Sequence, residues 1–222
     1  NAALLKTTNA GTNWFKVDNL PDPKPKGLCG ISVIKNSNVV YMCGRIEGPA
    51  IVLKTTNAGL NWVNINISSY ATRLIDCYFI SPDSGFVVGA NGGPGYAQTN
   101  AVILFTSNGG SSWVYRENSA RTNEQFWKIS FSSALNGVAS LNIQEDSLFI
   151  FKTSDGGVNW LRMGYKLVSG TYFTQGIGFI DQNTGWLGGD FFNNYTYETT
   201  NGGITWDANP FGFKINRIRF IN

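Results

Sequence analysis

Few side chains in this sequence are suited to chemistry, and they are scattered. The 222 residues carry 17 Lys and Arg, 14 Asp and Glu, and no histidine. Without imidazole there is no Ser-His or Cys-His nucleophilic pair, no His-ligated zinc or iron, and no His-based pH switch. Hydrolysis of a glycosidic bond needs two carboxylates about 5–10 Å apart across a cleft. Asp76, Glu124, Asp181 and Asp190 are the suppliers on offer, and none belongs to a repeated acidic pair. An arginine cluster that grips a substrate carboxylate would draw on Arg73, Arg116, Arg121 and Arg162. The three cysteines, Cys29, Cys43 and Cys77, have no CxxC spacing. Buried free thiols are expected; a single disulfide, Cys29–Cys43 or Cys43–Cys77, is the other reading. No catalytic set, metal cluster or cofactor motif emerges, so the chain reads as non-enzymatic.

Composition narrows the partners. A net charge of +3 does not call for nucleic acid or an anionic membrane surface. No apolar run approaches the roughly 18 residues of a transmembrane segment. Aromatic and charged residues stand at 14% each beside 26 glycines, a balance that fits turn-rich β structure. Asn1 opens directly on a strand-like segment without an initiator Met or secretory signal, as expected of a processed chain or a fragment.

The elements that position these side chains announce themselves by repetition. TTNAGTNW ends at Trp14, TTNAGLNW at Trp62, TSNGGSSW at Trp113, TSDGGVNW at Trp160 and TTNGGITW at Trp206, spaced 48, 51, 47 and 46 residues apart. A period of that size with strand-like content predicts β-propeller blades. One unit reads as strands at 73–80, 86–89, 102–107 and 113–117, separated by turn residues: a four-stranded antiparallel meander. Asn9, Asn57, Asn108, Asp155 and Asn201 bend the chain by bonding their own backbone two residues on. Gly11, Gly59, Gly110, Gly157 and Gly203 supply a positive φ. The tryptophan opens the fourth strand and wedges between neighbouring blades. A metal ligand or catalytic acid needs a carboxylate, whereas four of the five copies carry Asn. The motif is therefore a structural turn.

The pattern T/S-x-D/N-x-G-x-x-W resembles the Asp-box, or bacterial neuraminidase repeat, of sialidases, sortilin and some endoglucanases. Its pairing with upstream strands such as GWLGGD and GFVVGA is most similar to photosystem II stability/assembly factor-like propellers. The resemblance spans almost the whole chain and implies an all-β propeller of four-stranded antiparallel blades. In sialidases the boxes lie away from the active site, which agrees with a structural role here, and no FRIP-like segment precedes the arginines of this chain. The resemblance also implies an extracytoplasmic location (secreted, periplasmic or cell surface) and two alternative functions: a sialidase- or glucanase-like glycoside hydrolase, or an assembly factor for a membrane protein complex.

A single propeller domain over 1–222 is expected, with blade boundaries near 1–27, 28–72, 73–122, 123–172, 173–214 and 215–222. The chain starts at a third strand and stops after a first strand. The five repeats of about 47 residues form either a five-bladed ring or part of a larger one. The larger ring is favoured, because a blade without its second strand leaves backbone groups unpaired.

Function is expected where the repeats differ. Each first strand should line the central channel, with a period of two separating core positions from channel positions. The core set is uniformly apolar (Ile34, Phe79, Phe131, Phe179, Phe220). The channel set is mixed: Asp76, Tyr78, Lys128, Ser130, Arg217 and Arg219. The long connections of the rim opposite the boxes carry Tyr70, Arg73, Tyr96, Arg121, Tyr165, Tyr172 and Tyr195, of the types most used as interface anchors. The sequence thus reads as a non-catalytic binding or scaffold module without cofactor. Its expected partner is a protein or a glycan, not nucleic acid, within a larger envelope-associated assembly.

Overall fold

Each repeat folds into one sheet. The computed structural model describes residues 4–44, 48–93, 97–143, 148–165, 174–189, 195–210 and 215–218. The first sheet pairs β1 (Leu5–Lys6) with β2 (Phe15–Lys16). The second holds β3 (Gly30–Val33), β4 (Val40–Cys43), β5 (Ile51–Thr55) and β6 (Val63–Asn66). The third holds β7 (Arg73–Phe79), β8 (Gly85–Gly92), β9 (Thr99–Thr106) and β10 (Val114–Asn118). In the fourth come β11 (Glu124–Phe131), β12 (Gly137–Ile143), β13 (Leu148–Thr153) and β14 (Leu161–Tyr165). The fifth has β15 (Gly176–Phe179), β16 (Gly185–Gly188), β17 (Tyr195–Thr199) and β18 (Asp207–Pro210). The last four are sequential antiparallel meanders. Strands β8 and β9 reach further into the long connection than the sequence pattern suggests. Strand β10 begins after Trp113, because the box turn uses that residue.

The core lies between sheets. The second and third share a layer that includes Tyr41, Val52, Val87 and Leu104. Between the third and fourth lie Phe86, Ile103, Phe126 and Leu141, and between the fourth and fifth Val138, Ile150, Phe179 and Tyr197. Leu4, Val17 and Leu20 cover Met42, Ile51 and Leu53 of the second sheet. Within three sheets a core phenylalanine of the first strand faces a glycine of the second: Phe79 opposite Gly85, Phe131 opposite Gly137, Phe179 opposite Gly185. The ring lies over the glycine, and a Cβ on Gly137 or Gly185 would come within 2.6 Å of it. In the second sheet Ile34 and Val39 fill this place instead, with Ile34 N–H bonded to Val39 O.

The boxes are turns built around the threonine that precedes the Asn or Asp by two. Its hydroxyl donates to the Asx Oδ1 at 2.8–3.0 Å in all five boxes. The same oxygen accepts the box glycine N–H at 2.8–2.9 Å. The Asx Oδ1 accepts the N–H four residues on, not two, at 2.8–3.0 Å. Oxygen alone is required, which is why Asn serves. Trp160 packs edge-on to Phe131 of its own sheet and Phe86 of the preceding one, and Trp206 likewise to Phe179 and Tyr165. Trp113 is buried in the layer between the second and third sheets. The wedge role fails at Trp14, which is 58% exposed.

Asp155 accepts from the Asn159 backbone and side chain first, then from the Thr153 hydroxyl and Val158 N–H. These donors hold its carboxyl down at about 2. A lowered carboxyl contributes stability above its unfolded value and loses it as pH falls through the folded one. Urea unfolding of D155N is therefore expected to show a lower midpoint than the wild type near neutral pH, because the amide lacks the charge that those donors stabilise. From about pH 4 to about pH 2 the wild-type midpoint should fall further than that of D155N.

Neighbouring boxes are also stitched together. Lys6 Nζ donates to Ala58 O at 2.6 Å, Lys54 Nζ to Gly109 O at 3.2 Å, and Lys152 Nζ to Gly202 O. Each lysine directly precedes the threonine of one box and reaches the fourth residue of the next. K54M is expected to lower unfolding stability by about 1–2 kcal/mol, as for loss of a charged hydrogen bond. A change within about 0.3 kcal/mol would show that the tie is idle.

Candidate functional site in the channel

The first strands of the second to fifth sheets and the segment 215–218 surround a cavity of about 420 Å³. Arg217 Nη2 donates to Ile31 O at 3.1 Å, linking the last described segment to β3. The described residues thus put five inner segments around the cavity. Its wall runs from Ile31, Asp76, Lys128 and Arg217 outward to Lys35, Ile80, Ser132 and Ile180. Those outer residues lead into the first hairpin of each sheet, which lies on the same rim as the boxes. The cavity therefore opens toward the box rim.

Two β-bulges shape the floor. Strand pairing slips between Leu74 and Asp76 in β7, and between Phe126 and Lys128 in β11. A bulge re-aims the residues beside it, and here Asp76 and Lys128 follow the slip at equivalent positions. Asp76 is 4% exposed and Lys128 9%. Lys128 Nζ stands 4.0 Å from Asp76 Oδ2, beyond hydrogen-bond reach. Asp76 Oδ2 accepts the Ile129 N–H at 3.4 Å, while Oδ1 is buried and has no partner. Burial pushes the Asp76 carboxyl up, and Lys128 and Arg217 pull it back. Above the floor Tyr78 stacks on Phe131 with ring centroids 5.0 Å apart. Of the channel residues picked from the sequence, Asp76, Tyr78, Lys128, Ser130 and Arg217 line this one cavity; Arg219 lies outside the described residues.

The described rim residues make contacts within the chain. Arg73 is buried and donates to Gly93 O. Tyr70 packs on the core, and its carbonyl accepts the Tyr115 hydroxyl at 2.7 Å. The Tyr165 hydroxyl donates to Gly203 O of the next sheet. Tyr195 packs beside Tyr197. Arg121 remains largely exposed and pairs with Glu124 at 3.4 Å. Tyr96 and Tyr172 lie outside the described residues.

The four acids are not gathered. Glu124 sits at the start of β11, held by Arg162 Nη1 at 2.8 Å and by the Ser119 hydroxyl. Asp181 is exposed and accepts the Asn183 and Thr184 N–H groups; Asp190 lies outside the described residues. None of the three cysteines forms a disulfide; Cys43 and Cys77 are buried, but Cys29 is exposed, contrary to expectation. Burial, then the neighbouring Cys77, drives the Cys43 thiol upward. Among the described residues no group of three His, Cys, Asp or Glu could hold a metal ion, and no helix is long and apolar enough to cross a membrane.

No family model and no curated protein matches this sequence. Solved structures do. YCF48 from Cyanidioschyzon merolae aligns with a TM-score of 0.52 at 15% identity over 95% of this chain and 79% of that one. An ancestral GH74 enzyme aligns with a TM-score of 0.60 at 23% identity over 81% of this chain. A mutant Trypanosoma rangeli sialidase with trans-sialidase activity aligns with a TM-score of 0.55 at 9% identity over 90% of this chain. The chain spans 23% of the GH74 enzyme and 41% of the sialidase. At these identities the likeness speaks to fold alone: this chain is an all-β propeller, and its described blades carry five recurring threonine–Asx turns.

Proposed function

We propose that this protein is a non-catalytic recognition module, extracytoplasmic in location, whose channel mouth on the box rim receives part of a protein partner. One observation carries this reading. At a single level of the channel, where the frame repeats, the side chains do not: Ile31, Asp76, Lys128 and Arg217 meet there. Packing alone does not ask for a buried acid and a nearly buried lysine at 4.0 Å; such groups are costly unless something uses them. Asp76 is the single carboxylate among the described lining residues, whereas glycosidic hydrolysis calls for a pair.

The test is affinity capture from the native envelope or medium with the full chain and with S130W, whose indole fills the cavity. A partner retained by the wild type and lost by S130W is expected. Capture that S130W leaves intact would move the site elsewhere. Turnover on a glycan panel without any captured partner would replace the reading with a hydrolase.

A further inference from the structure

We propose that the channel floor binds one carboxylate carried on an apolar body, entering from the box rim; this rests on the channel being the recognition site. Three features point there together. First, the floor is built but unfinished. Asp76 Oδ1 is buried, lines the cavity and has no partner. Lys128 Nζ stops 4.0 Å short of the other carboxyl oxygen. Arg217 spends Nη2 on Ile31 O and keeps the rest of its five-donor fork. Second, the charges select a monoanion: Lys128 and Arg217 face one acid, leaving a single net positive charge at the floor. Third, the entrance is apolar. Val33, Ile80 and Ile180 border the cavity and are 54%, 44% and 51% exposed. A volume of about 420 Å³ suits a small ligand or the last residues of a chain.

Asp76 sets the pH response. The titratable and charged groups around it are Lys128 of β11, Arg217 of the last segment, Cys43 of β4 and Cys77 of its own strand. Burial holds the proton on Asp76 to a higher pH than on an exposed carboxyl, and in that protonated form Asp76 donates to the incoming carboxylate. Binding therefore tightens as pH falls toward the range where the ligand itself protonates. An amide at this position donates at every pH, so D76N should flatten that dependence.

The experiment is calorimetric titration of the full chain with 3-phenylpropionate, its primary amide, the peptide Gly-Gly-Leu-Phe with a free C-terminus, and the same peptide amidated. At least one acid is expected to bind, with its amide at least ~10-fold weaker and K128M weakening the acid ~10–100-fold, as for loss of a charge-assisted bond. R217Q, at an exposed position, gives the same readout should K128M not fold. Binding of the free acid alone, of the peptide alone or of both each supports the site and names its source. Equal binding of acids and amides, no acid binding tighter than about 1 mM, or full affinity in K128M overturns it. A protein partner captured through the channel without this preference would leave the recognition reading standing and remove the carboxylate.

Discussion

G157V is expected to cost about 2–5 kcal/mol of unfolding stability, a large share of the 5–15 kcal/mol typical of a domain. Two separate causes add. Gly157 sits at φ +84°, where a β-branched residue pays about 1–2 kcal/mol for left-handed backbone. A Cβ there would also enter the Phe86 ring of the preceding sheet, and forced repacking of a filled core adds about 1–3 kcal/mol. Gly11 provides the control. It has φ +91°, but its Cβ would find nothing nearer than the Trp14 ring at 3.8 Å. G11V should therefore show the backbone cost alone. Urea unfolding of both variants separates the two terms; equal losses would mean that the box glycine does not plug the next layer.

The second large effect is at the ring which that glycine touches. Phe86 is fully buried, with Phe105, Phe131 and Trp160 around it at centroid distances of 4.9, 5.2 and 6.3 Å. Rings from two sheets and a box tryptophan thus meet on one side chain. F86A is expected to lose about 3–5 kcal/mol, the range for a buried phenylalanine truncated to a cavity. Phe15 is the comparison, at 57% exposure on β2, and F15A should stay within about 0.5 kcal/mol. Thermal unfolding of the pair reads the difference directly. A mild F86A would mean that the third and fourth sheets are held chiefly by backbone and polar ties.

Much of this frame was legible in the sequence, because its signals are local. Thr, Asx, Gly and Trp at fixed offsets encode a turn, and five copies encode a period. The glycines that open second strands are legible too, once each is seen opposite a core phenylalanine. The lysine ties had a signal, a Lys directly before the box threonine at Lys6, Lys54 and Lys152. By itself it does not predict a tie, because a lone Lys ordinarily reads as solvated. The bulges had none: Ile75 and Trp127 look like ordinary strand residues, and the slip appears only against the partner strand. At the rim, residue type alone does not say what a side chain touches. Tyr165 and Arg73 are good interface anchors in general, but a phenol or guanidinium can equally tie one sheet to the next backbone, and here they do. Direction belongs to tertiary packing, which the one-dimensional pattern does not carry. The channel fared better, because the period of two in the first strands assigns side chains to wall or core without further information.

The channel as recognition site is most directly tested by site-specific photo-crosslinking. A photoreactive phenylalanine analogue at Ile80, on the box-side mouth, should crosslink the captured partner, while the same probe at Arg121 on the opposite rim should not. Crosslinking from Arg121 and none from Ile80 would contradict the account.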